Sequence, residues 1–141
     1  MSNWIVRANP NRFRIHDCLK DNGYVEYLQK DKVEEGDIVY LYITGKAKRV
    51  EYKMVVERAN IPLIEAVDDS SYSLRETPAT FLDTDVFVRF KLIAERVENN
   101  ELCYKKLCEH GFVGKNGRIL PMTSNRSLDY ETVKYINSFF K

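Results

Sequence analysis

The strongest hydrophobic run in the chain is Ile38-Val39-Tyr40-Leu41-Tyr42-Ile43, entered from the polar turn Lys32-Val33-Glu34-Glu35-Gly36-Asp37. β-Branched and aromatic residues bounded by turn residues predict a strand. Gly45-Lys46-Ala47-Lys48 follows as a basic turn, and Val50 to Arg58 alternates as the next strand. The two predict an antiparallel pair. Val86 to Leu92 alternates as well, with Val88, Phe90 and Leu92 on the side to be buried. Near the start, Trp4-Ile5-Val6-Arg7 predicts a short strand that stops before the Asn9-Pro10-Asn11 turn signal. Tyr24 to Gln29 reads as a short strand or an extended connection.

Helical spacing marks three further segments. Ile15, Cys18 and Leu19 predict a helix over 12–22, with Gly23 as its stop. Leu102 to Glu109 predicts a short helix closed by Gly111. A last helix, capped by Asp129 or Ser127, puts Val133, Ile136 and Phe140 on one face. From Asn60 to Asp85 no period holds, because Pro62, Asp68-Asp69-Ser70-Ser71 and Pro78 interrupt it. Such a stretch is a functional loop or a segment that periodicity does not decode. Interspersed helices and antiparallel strands predict an α+β fold, a small bent sheet or barrel with peripheral helices. One domain over residues 1–141 fits this length.

Composition narrows the function classes only partly. Hydrophobic residues make up 44% and charged residues 30%, which is globular composition. A net charge of +1 gives no global basic field, so contacts to phosphates need a local patch. Three cysteines, Cys18, Cys103 and Cys108, do not make a disulfide framework. No apolar run approaches the roughly 18–20 residues of a membrane span, and Met1-Ser2-Asn3-Trp4 lacks a signal-peptide pattern. The expectation is a reduced, cytoplasmic, soluble protein.

Nine Tyr, seven Phe and one Trp are many for this length. On a strand, Tyr40, Tyr42 and Thr44 share one face, and Val39, Leu41 and Ile43 share the other. The aliphatic face suits a core. The phenolic face suits a wet cleft where bases stack, or a half-exposed sheet surface that holds tyrosine for its β preference. Lys46, Lys48, Arg49 and Lys53 form one basic cluster, and Lys115, Arg118 and Arg126 a second. Each is a phosphate-binding patch or a solvated face.

Catalytic signals are sparse. His16 falls on the polar side of the first helix, and His110 at a helix end. Neither has a nucleophile in a known signature. Cys103, Cys108 and His110 suggest zinc, but residues five apart on a helix point about 140° apart. Asp37, Glu51 and Lys53 form the one nuclease-like set, able in principle to hold magnesium and orient a water. Asp37 equally serves as a turn residue after Gly36.

Four ordered segments resemble an EVE domain of the PUA-like superfamily, whose relatives include YTH and ASCH domains. They are Trp4-Ile5-Val6 with Asn9-Pro10, Tyr27 through Gly36-Asp37-Ile38-Val39-Tyr40-Leu41-Tyr42, Tyr52-Lys53 to Ile61-Pro62, and Leu107 to His110-Gly111-Phe112 with the basic loop and terminal helix. The resemblance implies a compact β-barrel with an aromatic-lined pocket that takes a flipped or unpaired, often modified, base. Some such domains open modification-dependent restriction systems. On this expectation Trp4, Tyr27, Tyr40 and Tyr42 shape the base pocket with Thr44 as an edge partner, and Arg7, Lys46, Lys48, Arg49 and Arg118 are the candidates for phosphate. Tyr27 stands where relatives often carry Trp, and Thr44 where they commonly carry Ser. The implied protein is a non-catalytic reader of DNA or RNA, without cofactor or metal. It would act alone or with a separate effector protein. The competing expectations are the magnesium nuclease above and a protein or small-ligand module with a decayed pocket.

Overall fold

One sheet with helices on both sides forms the architecture of this computed structural model, which describes residues 2–29, 32–77, 80–96, 102–109, 126–127 and 130–140. The strands are β1 (Asn3–Ala8), β2 (Tyr24–Leu28), β3 (Ile38–Ile43), β4 (Arg49–Pro62), β5 (Val86–Glu95) and β6 (Arg126–Ser127). The helices are α1 (Ile15–Asn22), α2 (Tyr104–Glu109) and α3 (Tyr130–Asn137). Strand order across the sheet is β2-β5-β4-β3-β1-β6. The β1–β3 pair is parallel and the other described pairs are antiparallel. The α+β expectation holds, but the described strands do not close into a barrel. The edge strand β2 is flanked by the segment after β4, where Val67 N–H donates to Glu26 Oε1 at 2.8 Å.

The sheet separates two cores. Val39, Leu41 and Ile43 of β3 meet Tyr52, Met54 and Val56 of β4 under Ile15, Cys18 and Leu19 of α1. On the opposite face Tyr40, Tyr42, Ile5 and Val50 pack with Leu102, Leu107, Ile136 and Phe140. A strand buried on both faces shows an unbroken apolar run, as Ile38–Ile43 does. Gly23 ends α1 as expected: its φ of 75° is left-handed, and its N–H donates to Leu19 O at 2.8 Å. Ile136 and Phe140 are buried, matching the face expected of the last helix.

The aperiodic stretch has structural content. β4 runs on to Pro62 through register shifts between Val56 and Arg58 and between Arg58 and Ile61. Asn60 sits at φ 55°, tied to Gln29 by reciprocal bonds of 2.8 and 3.2 Å. Two short 3-10 turns, Leu63–Glu65 and Ser70–Tyr72, follow. The second docks beside α1: Arg14 N–H donates to Tyr72 O, and Tyr72 Oη donates to Asp21, both at 2.8 Å. Bulges and side-chain ties replace periodicity here, so no simple pattern survives in the sequence.

Candidate nucleic-acid interface

Parallel pairing of β1 with β3 brings their carboxyl ends together, with Ala8 opposite Ile43. Thr44 fastens the joint: its N–H and its hydroxyl both donate to Ala8 O, at 2.9 and 3.3 Å. Two turns leave from this point and touch. Asn9 Oδ1 accepts from Asn11 N–H at 2.9 Å, shaping the first. Gly45 opens the second at φ 76°, and a Cβ there would stand 3.5 Å from the Asn11 amide and 3.7 Å from the Pro10 ring.

These turns carry exposed cations. Arg12, Lys46 and Lys48 form no ion pair among the described residues. Arg49 differs, because Glu51 takes both its guanidinium and, at 3.7 Å, that of Arg96. Arg7 is exposed on β1, opposite Tyr42 in the register. Lys48 sits at φ 47°, a left-handed backbone that side chains with a Cβ disfavour. Lys48→Gly is therefore expected to raise stability by about 0.5–1 kcal/mol in urea unfolding. Unchanged or lower stability would show that no strain is held there.

On the α1 side lies a second polar group. His16 is exposed, and its Nδ1 is hydrogen-bonded to the Tyr52 hydroxyl. The ring centroids lie 5.6 Å apart. Burial, then the nearby Glu51 and Glu95 charges, push the Tyr52 phenol up to about 12, so it stays protonated at neutral pH. Tyr52 pairs with Leu41, three residues before Thr44 and so roughly 10 Å from it along the strand.

The rings expected to line one pocket do not meet. Trp4 packs against the first core at the start of β1, and its indole N–H donates to Asp37 Oδ2 at 3.0 Å. Tyr27 joins the same core 5.4 Å from the Phe90 ring, where burial drives its phenol far above the usual range. Tyr40 and Tyr42 lie on the other face of the sheet, 1% and 0% exposed. Tyr40 donates to Asn137 Oδ1 at 3.1 Å, and burial pushes its phenol up to about 12. Thr44 lies at the opposite end of the β1–β3 pair from Trp4, about 16 Å away by strand rise. The expected wet, stacking face of Tyr40 and Tyr42 is thus corrected: α3 and the Leu102–Leu107 segment cover it and make it core. Arg118, Lys115 and His110 lie outside the described residues, and Arg126 enters only through its backbone pairing with Ile5.

The nuclease-like set is also dispersed. Asp37 accepts from Ser2 N–H, Trp4 Nε1–H and Glu34 N–H, at 2.9, 3.0 and 3.0 Å. Burial alone would raise its carboxyl, but these bonds outweigh it and hold the group below the usual carboxylate range. Asp37 O accepts from Val56 N–H, and Glu51 lies five residues back along β4, about 16 Å away. That exceeds the roughly 6 Å over which two carboxylates share one magnesium ion. Lys53 is engaged with Asn137 Oδ1 at 2.6 Å. Among the described residues no three His, Cys, Asp or Glu side chains gather as metal ligands. Likewise, no described helix is long and apolar enough to cross a membrane.

Comparison with known proteins places the fold. No family model matches the sequence, and no curated protein resembles it significantly. Solved structures do. ASCH from Zymomonas mobilis superposes with a TM-score of 0.64 at 12% identity, over 99% of this chain and 96% of that one. A hypothetical protein from Leishmania major gives 0.63 at 17% identity, over 98% and 93%. A Pseudomonas syringae protein gives 0.63 at 16% identity, over 97% and 98%. The chain therefore has the fold seen in ASCH from Zymomonas mobilis.

Arg12, His16 and Tyr52 escaped the sequence reading as members of one surface. The turn signal around Pro10 points to Arg12. Nothing in the sequence announces the meeting of His16 and Tyr52, which depends on how α1 crosses a bulged strand pair.

Proposed function

We propose that the protein is a non-catalytic nucleic-acid-binding module whose contact surface is the joined carboxyl end of β1 and β3. The observation that carries the reading is the trio Arg12, Lys46 and Lys48, exposed and unpaired among the described residues on two touching turns. Unpaired cations suit phosphates, because binding them releases counterions without first breaking an internal salt bridge. Backbone N–H groups in tight turns add further donors for phosphate oxygens. Thr44 adds a hydroxyl at the joint, and the bonded pair His16 and Tyr52 lies roughly 10 Å back along the strands.

The EVE-like motifs support an unpaired base, modified or not, as the feature that distinguishes the ligand. The pocket of Trp4, Tyr27, Tyr40 and Tyr42 is not part of this reading. Specificity instead comes from polar groups near the turns, since phosphate contacts position a strand without reading it.

An NMR titration tests the placement. Single-stranded RNA and DNA oligonucleotides, with and without 5-methylcytosine or N6-methyladenine, are added to 15N-labelled protein. Shift changes are expected to centre on Asn9–Arg12 and Thr44–Lys48. Changes centred on α2 and α3, or none with any oligonucleotide, would refute it.

A further inference from the structure

Outside the three cations, the most telling polar group is His16. It lies at the start of α1 and is exposed, yet its ring is not free to turn, because Nδ1 is bonded to the hydroxyl of buried Tyr52. The neighbouring ring, tilted by 52°, packs against the imidazole and limits its rotation further. Tyr52 keeps its proton at neutral pH, so its hydroxyl can donate to Nδ1, and in that tautomer of the neutral imidazole Nδ1 accepts. The remaining proton then belongs to Nε2, which points away from Tyr52 and has no partner among the described residues. The result is an oriented N–H donor set back from the cationic turns.

Resting on the proposed function, we propose that His16 is the donor that reads a nucleotide acceptor, a base carbonyl or ring nitrogen, while Arg12, Lys46 and Lys48 hold the phosphates. Tyr52 is the positioning residue that fixes the tautomer and ring plane. The separation supports this division of labour. Tyr52 lies roughly 10 Å along β3–β4 from the Thr44 turn, beyond hydrogen-bonding reach of the same phosphate. One ring nitrogen of His16 is engaged, and the other has no partner among the described residues.

The experiment measures oligonucleotide affinity by fluorescence anisotropy for the unaltered chain, His16→Ala, Tyr52→Phe and Lys46→Ala. Long-range 15N–1H spectra of the histidines accompany it. His16→Ala is expected to weaken binding about tenfold, the worth of one well-placed hydrogen bond. Tyr52→Phe should weaken it roughly threefold, keep the fold, and move the His16 Nδ1 resonance towards that of an unbonded nitrogen. The His16 Nε2–H resonance should shift when the unaltered protein binds. Should His16→Ala and Tyr52→Phe bind as the unaltered chain does while Lys46→Ala weakens binding, the His16 assignment fails and the binding surface stands. If the unaltered chain binds no oligonucleotide, both fail.

Discussion

Tyr42→Ala is expected to cost about 3–5 kcal/mol of folding stability, the loss seen when a large buried ring is truncated. Tyr42 is fully buried on the second face of the sheet, among Ile5, Val50, Leu102, Leu107 and Ile136. Removing its ring leaves a cavity that these side chains, fixed on separate elements, fill only in part. The loss also falls on the contact that holds α3 to the sheet. Thermal unfolding of a chain this size should drop by about 10–20 °C. A tyrosine on a wet recognition surface would behave otherwise, with a change within about 0.5 kcal/mol. Equal melting temperatures for Tyr42→Ala and the unaltered chain would contradict the two-core arrangement.

Asp37→Ala is expected to cost roughly 2–4 kcal/mol, because three donors lose their acceptor at once. Ser2 N–H, Glu34 N–H and the Trp4 indole all converge on this carboxylate, which is 2% exposed. Asp37→Asn keeps one carbonyl oxygen and should cost less. The carboxyl is held below its ordinary range in the folded protein, so its contribution is complete at neutral pH. It fades as pH falls below about 4 and through the folded value, because the unfolded chain then takes up the proton first. Urea unfolding between about pH 7 and pH 3 should therefore show a steeper acid loss for the unaltered chain than for Asp37→Ala. Parallel pH profiles would show that the carboxylate is not the acceptor these bonds describe.

Asp37 and Tyr42 also show where sequence reasoning works and where it stops. Gly36-Asp37 was legible as a turn, because the residue types alone give it that chemistry. The strand Ile38–Ile43 is legible too, but its period alone predicts one core face and one wet face. The unbroken run of six apolar and aromatic residues was the available signal that both faces are covered. What covers the second face, Leu102, Leu107, Ile136 and Phe140, lies some sixty or more residues downstream, beyond the reach of local pattern. The parallel β1–β3 pair was equally hidden, since no local rule pairs two strands across an intervening helix and strand. Of the surface proposed here, Lys46 and Lys48 were visible as a basic turn. Their closeness to Arg12 depends on that parallel pairing.

Joined turns that bind nucleic acid through unpaired cations make the binding depend on salt. Anisotropy of a labelled single-stranded oligonucleotide is measured from about 50 to 200 mM salt for the unaltered chain and for the Lys46→Glu, Lys48→Glu double variant. With two or three phosphates neutralised, log K should fall with log salt at a slope of about −1.5 to −2. The double variant should bind at least tenfold more weakly with a slope near zero, while its melting curve is kept. Equal affinity and equal slope in the two proteins would show that these cations do not hold phosphates.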